Sequence, residues 1–181
     1  MNALGMIEVL SIPAGIEAGD AMLKAATVDL TTAQSVCAGK YIVVVAGEVA
    51  AVRSSVEAGI GIAGDTLVDS IIIPNVHDQV LAAVAACNPI EDVDAVGIME
   101  TFSLSSAITA ADTAVKAAEV DLIEIRLGRG LGGKAFIVLT GDVAACEAAV
   151  AAGTSLDEVQ GMMSRSVVIP SPHPDIISAL V

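Results

Sequence analysis

The sequence predicts an α+β fold: a tandem duplication of a ferredoxin-like β-α-β-β-α-β domain, with copy one over residues 1–90 and copy two over residues 91–181. The first observation behind this is a long internal repeat. Gly5-Met6-Ile7-Glu8 returns as Gly97-Ile98-Met99-Glu100, Asp20-Ala-Met-Leu-Lys24 as Asp112-Thr-Ala-Val-Lys116, and Val28-Asp29-Leu30 as Val120-Asp121-Leu122, all at an offset of 92. Gly39-Lys40 then matches Gly133-Lys134, and Ala46-Gly47-Glu48-Val49 matches Thr140-Gly141-Asp142-Val143, at 94. Ser70-Ile71-Ile72-Ile73-Pro74 with His77 answers Ser166-Val167-Val168-Ile169-Pro170 with His173, at 96. Two insertions of two residues in the second copy account for the drift. A period this long exceeds a solenoid unit and fits a whole small domain. The second observation is the order of apolar patterns within each copy, which alternates strand and helix periods.

In copy one, residues 6–11 alternate and read as a strand, and residues 14–26 read as a helix opening near Ser11-Ile12-Pro13. Residues 30–36 form a second strand, and residues 41–46 a continuous apolar strand entered through the Ala38-Gly39 turn. Residues 49–63 read as a second helix, with Glu48 at its positive end. Residues 67–73 give a fourth strand ended by Pro74, and residues 78–86 a short closing helix. Copy two repeats this order after a linker at residues 88–94. The split-βαβ arrangement packs its helices on one face of an antiparallel sheet.

Composition narrows the classes of function. Hydrophobic residues make up 55% and charged ones 17%, beyond the apolar share of an ordinary globular domain. The apolar runs are far shorter than the ~20 residues a membrane-spanning helix needs, and Glu8 interrupts any N-terminal signal-like stretch. No membrane partner is expected, and the surplus apolar surface points instead to large subunit interfaces. With 22 acids against 8 bases and a net charge of −14, no basic patch exists for a phosphate backbone, so no nucleic acid partner is expected. Three cysteines, Cys37, Cys87 and Cys146, without a CxxC pair, fit a reducing cytosol better than a disulfide framework.

The ordered series Gly5-Met-Ile-Glu8, Asp20-Ala-Met-Leu-Lys24-Ala-Ala, Gly39-Lys40-Tyr41, Gly47-Glu48-Val49 and Ile73-Pro74-x-x-His77 resembles the successive signatures of a bacterial microcompartment shell domain, and copy two carries the same series. The resemblance implies a tandem-domain shell subunit in the cytoplasm that assembles as a homotrimer, a pseudo-hexamer, alongside other shell proteins and possible enclosed redox enzymes. It also implies a structural protein rather than an enzyme. Ser35-Val36-Cys37-Ala38-Gly39-Lys40 is most similar to the propanediol-utilisation type. There a cysteine just before the Gly-Lys lies on the central three-fold axis and holds an iron–sulfur cluster for electron transfer. By this resemblance Val36, Cys37, Ala38 and Gly39, with Gly130, Leu131, Gly132 and Gly133 of copy two, form pore loops, and Lys24 and Lys116 lie at tile edges. Many shell domains read Pro-Arg-Pro-His after the fourth strand. Here Asn75 and Ser171 stand in place of that arginine, which helps join neighbouring tiles.

Read as chemistry, Cys37 has several possible roles. Three copies on one axis cannot pair off completely as disulfides, and three thiolates could hold three irons of a [4Fe–4S] cluster, one cluster per trimer. Zinc with three thiolates and a water is a chemical alternative, and a small apolar residue packed in a turn is the simplest. A metabolite pore without a cluster is a competing use of the same axis. Cys87 and Cys146 read as core residues on helices. Gly128-Arg129-Gly130-Leu131-Gly132-Gly133 lacks the following Ser or Thr of a phosphate loop and sits between strands, so it reads as a tight turn needing close backbone approach. His77 and His173 lack metal-binding spacing and read as caps of the closing helices. No catalytic constellation is present in the sequence. A ferredoxin-like enzyme or ligand-binding module, which needs convergent polar groups in a cleft, is the alternative class.

Overall fold

The computed structural model describes residues 2–85, 88 and 92–180. They form two compact units that divide between Leu81 and Ala82, with the short segment Arg129–Gly132 belonging to the first.

The first unit contains β1 (Asn2–Val9), α1 (Ile12–Ala25), β2 (Asp29–Val36), β3 (Lys40–Glu48), α2 (Val49–Ala63), a 3₁₀ turn at Gly64–Thr66 and β4 (Leu67–Ile73), followed by α3 (Asp78–Val84). Its sheet runs β2-β3-β1-β4 with every pair antiparallel. β1 begins earlier and ends earlier than the alternation at residues 6–11 indicates. Ala3 and Leu4 are fully buried and extend the pairing back to Asn2↔Glu48, while Ser11 leaves the strand to cap α1. The Ser11 hydroxyl accepts from the Ala14 amide at 3.4 Å, and Pro13 sits in the first turn, where its missing N–H costs nothing.

Ala3, Ile7 and Val9 of β1 join Val43 and Val45 of β3, Ala18 and Met22 of α1, and Val52 and Val56 of α2 in one core. The opposite face of the same strands, Leu4, Met6, Ile42 and Val44, is equally buried. Burial on both faces is why β3 reads as an unbroken apolar run. Helix α2 approaches the sheet closely at Gly5, where an added Cβ would lie 2.6 Å from Val56 Cγ2 and 2.7 Å from Val52 Cγ1.

The second unit repeats the plan: β5 (Ala95–Thr101), α4 (Leu104–Ala117), β6 (Asp121–Leu127), β7 (Ala135–Gly141), α5 (Val143–Ser155), α6 (Asp157–Gln160), β8 (Met163–Ile169) and α7 (Pro174–Leu180). Its antiparallel sheet is ordered β6-β7-β5-β8. Ser103 caps α4 as Ser11 caps α1, accepting from the Ser106 amide at 3.3 Å. The two insertions fall in connections. One lengthens the β6–β7 loop relative to Cys37–Gly39, and the other replaces the 3₁₀ turn with α6. Cys87 and residues 89–91 of the expected linker lie outside the described residues.

Gly5→Ala should destabilise the first unit by about 1–3 kcal/mol, because the facing Val52 and Val56 are stiff at χ1 and cannot swing away. The midpoint of chemical denaturation, followed by circular dichroism, measures this.

Candidate functional site

The two repeated motifs ending in Glu and Lys prove to be two halves of one contact. Glu8 on β1 is 3% exposed and forms an ion pair with Lys40 at the start of β3, although no hydrogen bond of regular geometry reaches its Oε1. The register that sets Val9 against Tyr41 makes the pair possible, since Lys40 is the next residue along β3. In the second unit Lys134 donates to Glu100 Oε2 at 3.0 Å and Ser164 donates to the same oxygen at 2.7 Å. These two hydrogen bonds, Ser164 first and Lys134 second, hold the Glu100 carboxyl below its ordinary value. Lys134 Nζ also lies 5.4 Å from the centre of the Phe102 ring.

Each anchored lysine ends a loop that carries the residues expected at the pore. In copy one the loop is Cys37-Ala38-Gly39, with Gly39 at φ 75°. In copy two Gly128, Gly130, Gly132 and Gly133 all have positive φ, between 62° and 93°. An added Cβ at Gly130 or Gly132 would meet nothing within 4 Å, so the glycines serve the left-handed backbone and not the close approach expected from sequence.

Arg129 and Gly130 line the same open concavity as Ile12, Ser35, Val36, Cys37, Ala38 and Gly39. Arg129 donates to Gln34 Oε1 at 2.6 Å, which ties this segment to the end of β2. Cys37 is half-buried at this concavity. Leu131 is half-buried and Gly132 exposed. No group of three or more His, Cys, Asp or Glu side chains that could hold a metal ion occurs among the described residues.

Cys146 is fully buried on α5, its thiol directed at the carbonyls of Ala95 and Gly141 at 3.6 Å each. Burial pushes this thiol above its ordinary value, and Asp94 adds to the shift. It is a core residue, as the sequence indicates. His77 Nδ1 accepts from the Gln79 amide at 3.3 Å and His173 Nδ1 from the Asp175 amide at 3.2 Å, so both histidines cap the short helices that follow them.

The recurring Asp and Lys of α1 and α4 also pair, one helical turn apart. Lys24 and Asp20 meet at 2.6 Å with both side chains exposed, whereas Lys116 pairs with Asp112, whose side chain is nearly buried. The acid stands N-terminal to the base in both, the orientation that suits the helix dipole. No described helix is long and apolar enough to cross a membrane.

Two sheets of one strand order and two loops ending at one kind of Glu–Lys anchor make the two units copies of one domain. The BMC domain profile matches residues 3–76 and 95–172. The chain therefore belongs to the BMC-domain family of bacterial microcompartment shell proteins and carries the domain twice. It is 42% identical over 172 residues to the bacterial microcompartment shell protein PduT of Citrobacter freundii, covering 95% of this chain and 94% of that protein. It is 30% identical over 192 residues to the carboxysome assembly protein CcmO of Synechococcus elongatus, covering 99% of this chain and 68% of that one. The crystal structure of a microcompartments protein from Desulfitobacterium hafniense superposes with a TM-score of 0.95 at 56% identity, covering 98% of this chain and 99% of that one.

Because the folded-state carboxyl of Glu100 is depressed, its contribution to stability is fully present above the ordinary carboxylate range and is lost as pH falls through the depressed value. Glu100→Gln should therefore flatten the acid limb of the stability–pH profile and leave the neutral-to-alkaline limb unchanged in slope. Denaturant titrations between about pH 3 and 8 measure both limbs.

Proposed function

We propose that this chain is a structural tile of a microcompartment shell, lying in the cytoplasm with the compartment. It assembles as a homotrimer whose six domains form a pseudo-hexamer alongside other shell proteins. The observation that carries this is the likeness of nearly the whole chain to shell proteins, with the same domain in both halves. The shell relatives favour a structural role over an enzyme or ligand-binding module of this fold.

At the centre of the trimer, the loops 36–39 and 130–133 line the axis and three Cys37 thiolates hold a [4Fe–4S] cluster. Cys37 fits such a role in being half-buried at an open concavity instead of packed in the core, as Cys146 is. One chain supplies one soft ligand there, so three chains supply the set, and the fourth iron keeps an external ligand. Bound in this way, the cluster would supply one-electron transfer across the shell, serving an enclosed redox enzyme.

Protein prepared without oxygen should be brown with one cluster per trimer, and Cys37→Ser should lose the colour and iron while sedimentation still shows trimers. Cys146→Ser should keep the colour. If the wild-type protein holds no iron after reconstitution, or Cys37→Ser retains it, the axis is a metabolite pore and not an electron relay.

Lys24 and Lys116 are assigned to the tile perimeter. Lys24 is the cleaner probe, because its exposed pair with Asp20 contributes at most about 1 kcal/mol, whereas removing Lys116 strips the nearly buried Asp112 of its cation. Lys24→Ala should leave trimers and their thermal stability unchanged but reduce sheet formation seen by electron microscopy, because a small edge loss is multiplied across a lattice.

A further inference from the structure

Most bases of this acidic chain are matched to carboxylates. Lys24, Lys40, Lys116, Arg126 and Lys134 each form an ion pair with an acid of their own copy. Arg129 does something different: it donates to the neutral amide oxygen of Gln34 at 2.6 Å, a contact that aims the guanidinium without cancelling its charge. The concavity that Arg129 lines also holds Cys37, and its other walls are glycines and small or apolar side chains with no carboxylate among them.

The two loops divide the chemistry between them. Residues 34–39 contain a thiol and no base, whereas residues 128–133 contain a base and no thiol. Although it comes from the copy-two sequence, the segment Arg129–Gly132 belongs to the first compact unit, the one that contains Cys37. Gly128 and Gly130, at φ 66° and 73°, flank the arginine, so what their left-handed backbone presents at the concavity is a cation. Low-dielectric walls focus the field of such a charge and extend its reach beyond what it has in open water.

We propose, resting on the cluster reading of this loop, that Arg129 raises the reduction potential of the centre held by Cys37. An iron–sulfur core on three thiolates carries net negative charge, and that charge deepens by one on reduction. A fixed cation beside it therefore stabilises the reduced form more than the oxidised one. Each chain of the proposed trimer contributes one arginine along with one thiol, so the charges reach the centre in equal number with its ligands. In the step itself one electron enters from a one-electron donor; no bond forms or breaks, and Arg129 neither gains nor loses a proton.

Redox titration of the anaerobically reconstituted protein with viologen mediators, followed by absorbance and paired with an iron assay, tests this. Arg129→Gln should hold as much iron as the wild type and yet show a more negative midpoint potential. Arg129→Lys, which keeps the charge, should stay near the wild-type value. Gln34→Glu leaves the arginine in place but gives it a carboxylate partner, and it should lower the potential as well. Arg129 is exposed, so the gap between wild type and Arg129→Gln should narrow as salt is raised. Equal potentials in wild type and Arg129→Gln at low salt would overturn the tuning role and leave the cluster standing. Loss of iron from Arg129→Gln would also overturn it, since the arginine would then hold the loop and not tune the centre. A wild type that takes up no iron would remove the cluster reading itself, and the tuning role with it.

Discussion

A carboxylate on the most buried strand of the first unit needs a cation, and the same pairing recurs, more exposed, in the second. Glu8 sits on β1, which is buried on both faces, and it is held by Lys40. Breaking such a pair from one side costs several kcal/mol, since the remaining charge has no water to turn to. Lys40 is also the first residue of β3, so the contact fixes where that strand begins and therefore where the Cys37-Ala38-Gly39 loop ends. Glu100 and Lys134 do the same for the glycine-rich loop before β7, more exposed and reinforced by Ser164. The loops can diverge in length and composition because their exits are pinned.

Duplication then separates what must stay common from what can change. The glycine that admits the second helix to the sheet recurs at Gly5 and Gly97, its would-be Cβ lying 2.6 Å from Val56 of α2 in the first copy and 2.9 Å from Val150 of α5 in the second. The serine caps, the histidine caps and the Asp–Lys helix pairs recur as well. What changes lies at the loops and at the surface of the first helix. Cysteine gives way to a longer run of left-handed glycines, and Ile108 is buried where Ile16 is exposed. Two copies in one chain allow a single thiol at this loop per subunit.

Much of this was legible in the sequence because it depends on local pattern. The helix at Val49–Ala63 and the strand at Leu67–Ile73 match the residues read from apolar spacing and from the Pro74 stop. The start of β1 was not legible, because Ala3 and Leu4 belong to the strand through their partners on β3 and β4 and not through alternation. The Glu–Lys contacts were hidden for the same reason. Both residues stood inside quoted motifs about thirty positions apart, and only strand register brings them together. The difference between the copies in exposure could not be read at all. Ile16 and Ile108 are the same residue in the same repeat, and their environments differ through tertiary burial alone. For the loops, sequence pointed to the right turn but the wrong cause, since glycine there answers to backbone conformation and not to crowding.

The proposed cluster follows a logic that a single chain cannot satisfy. Cys146 is shut off from metal chemistry by burial, a raised thiol and two carbonyl acceptors. No cluster of metal-ligating side chains among the described residues could complete a site around Cys37. On the proposed reading a metal centre at this loop draws one ligand from each of several chains, and its formation is tied to assembly. In the proposed trimer, any contact that joins the chains is therefore also one that brings the thiols together.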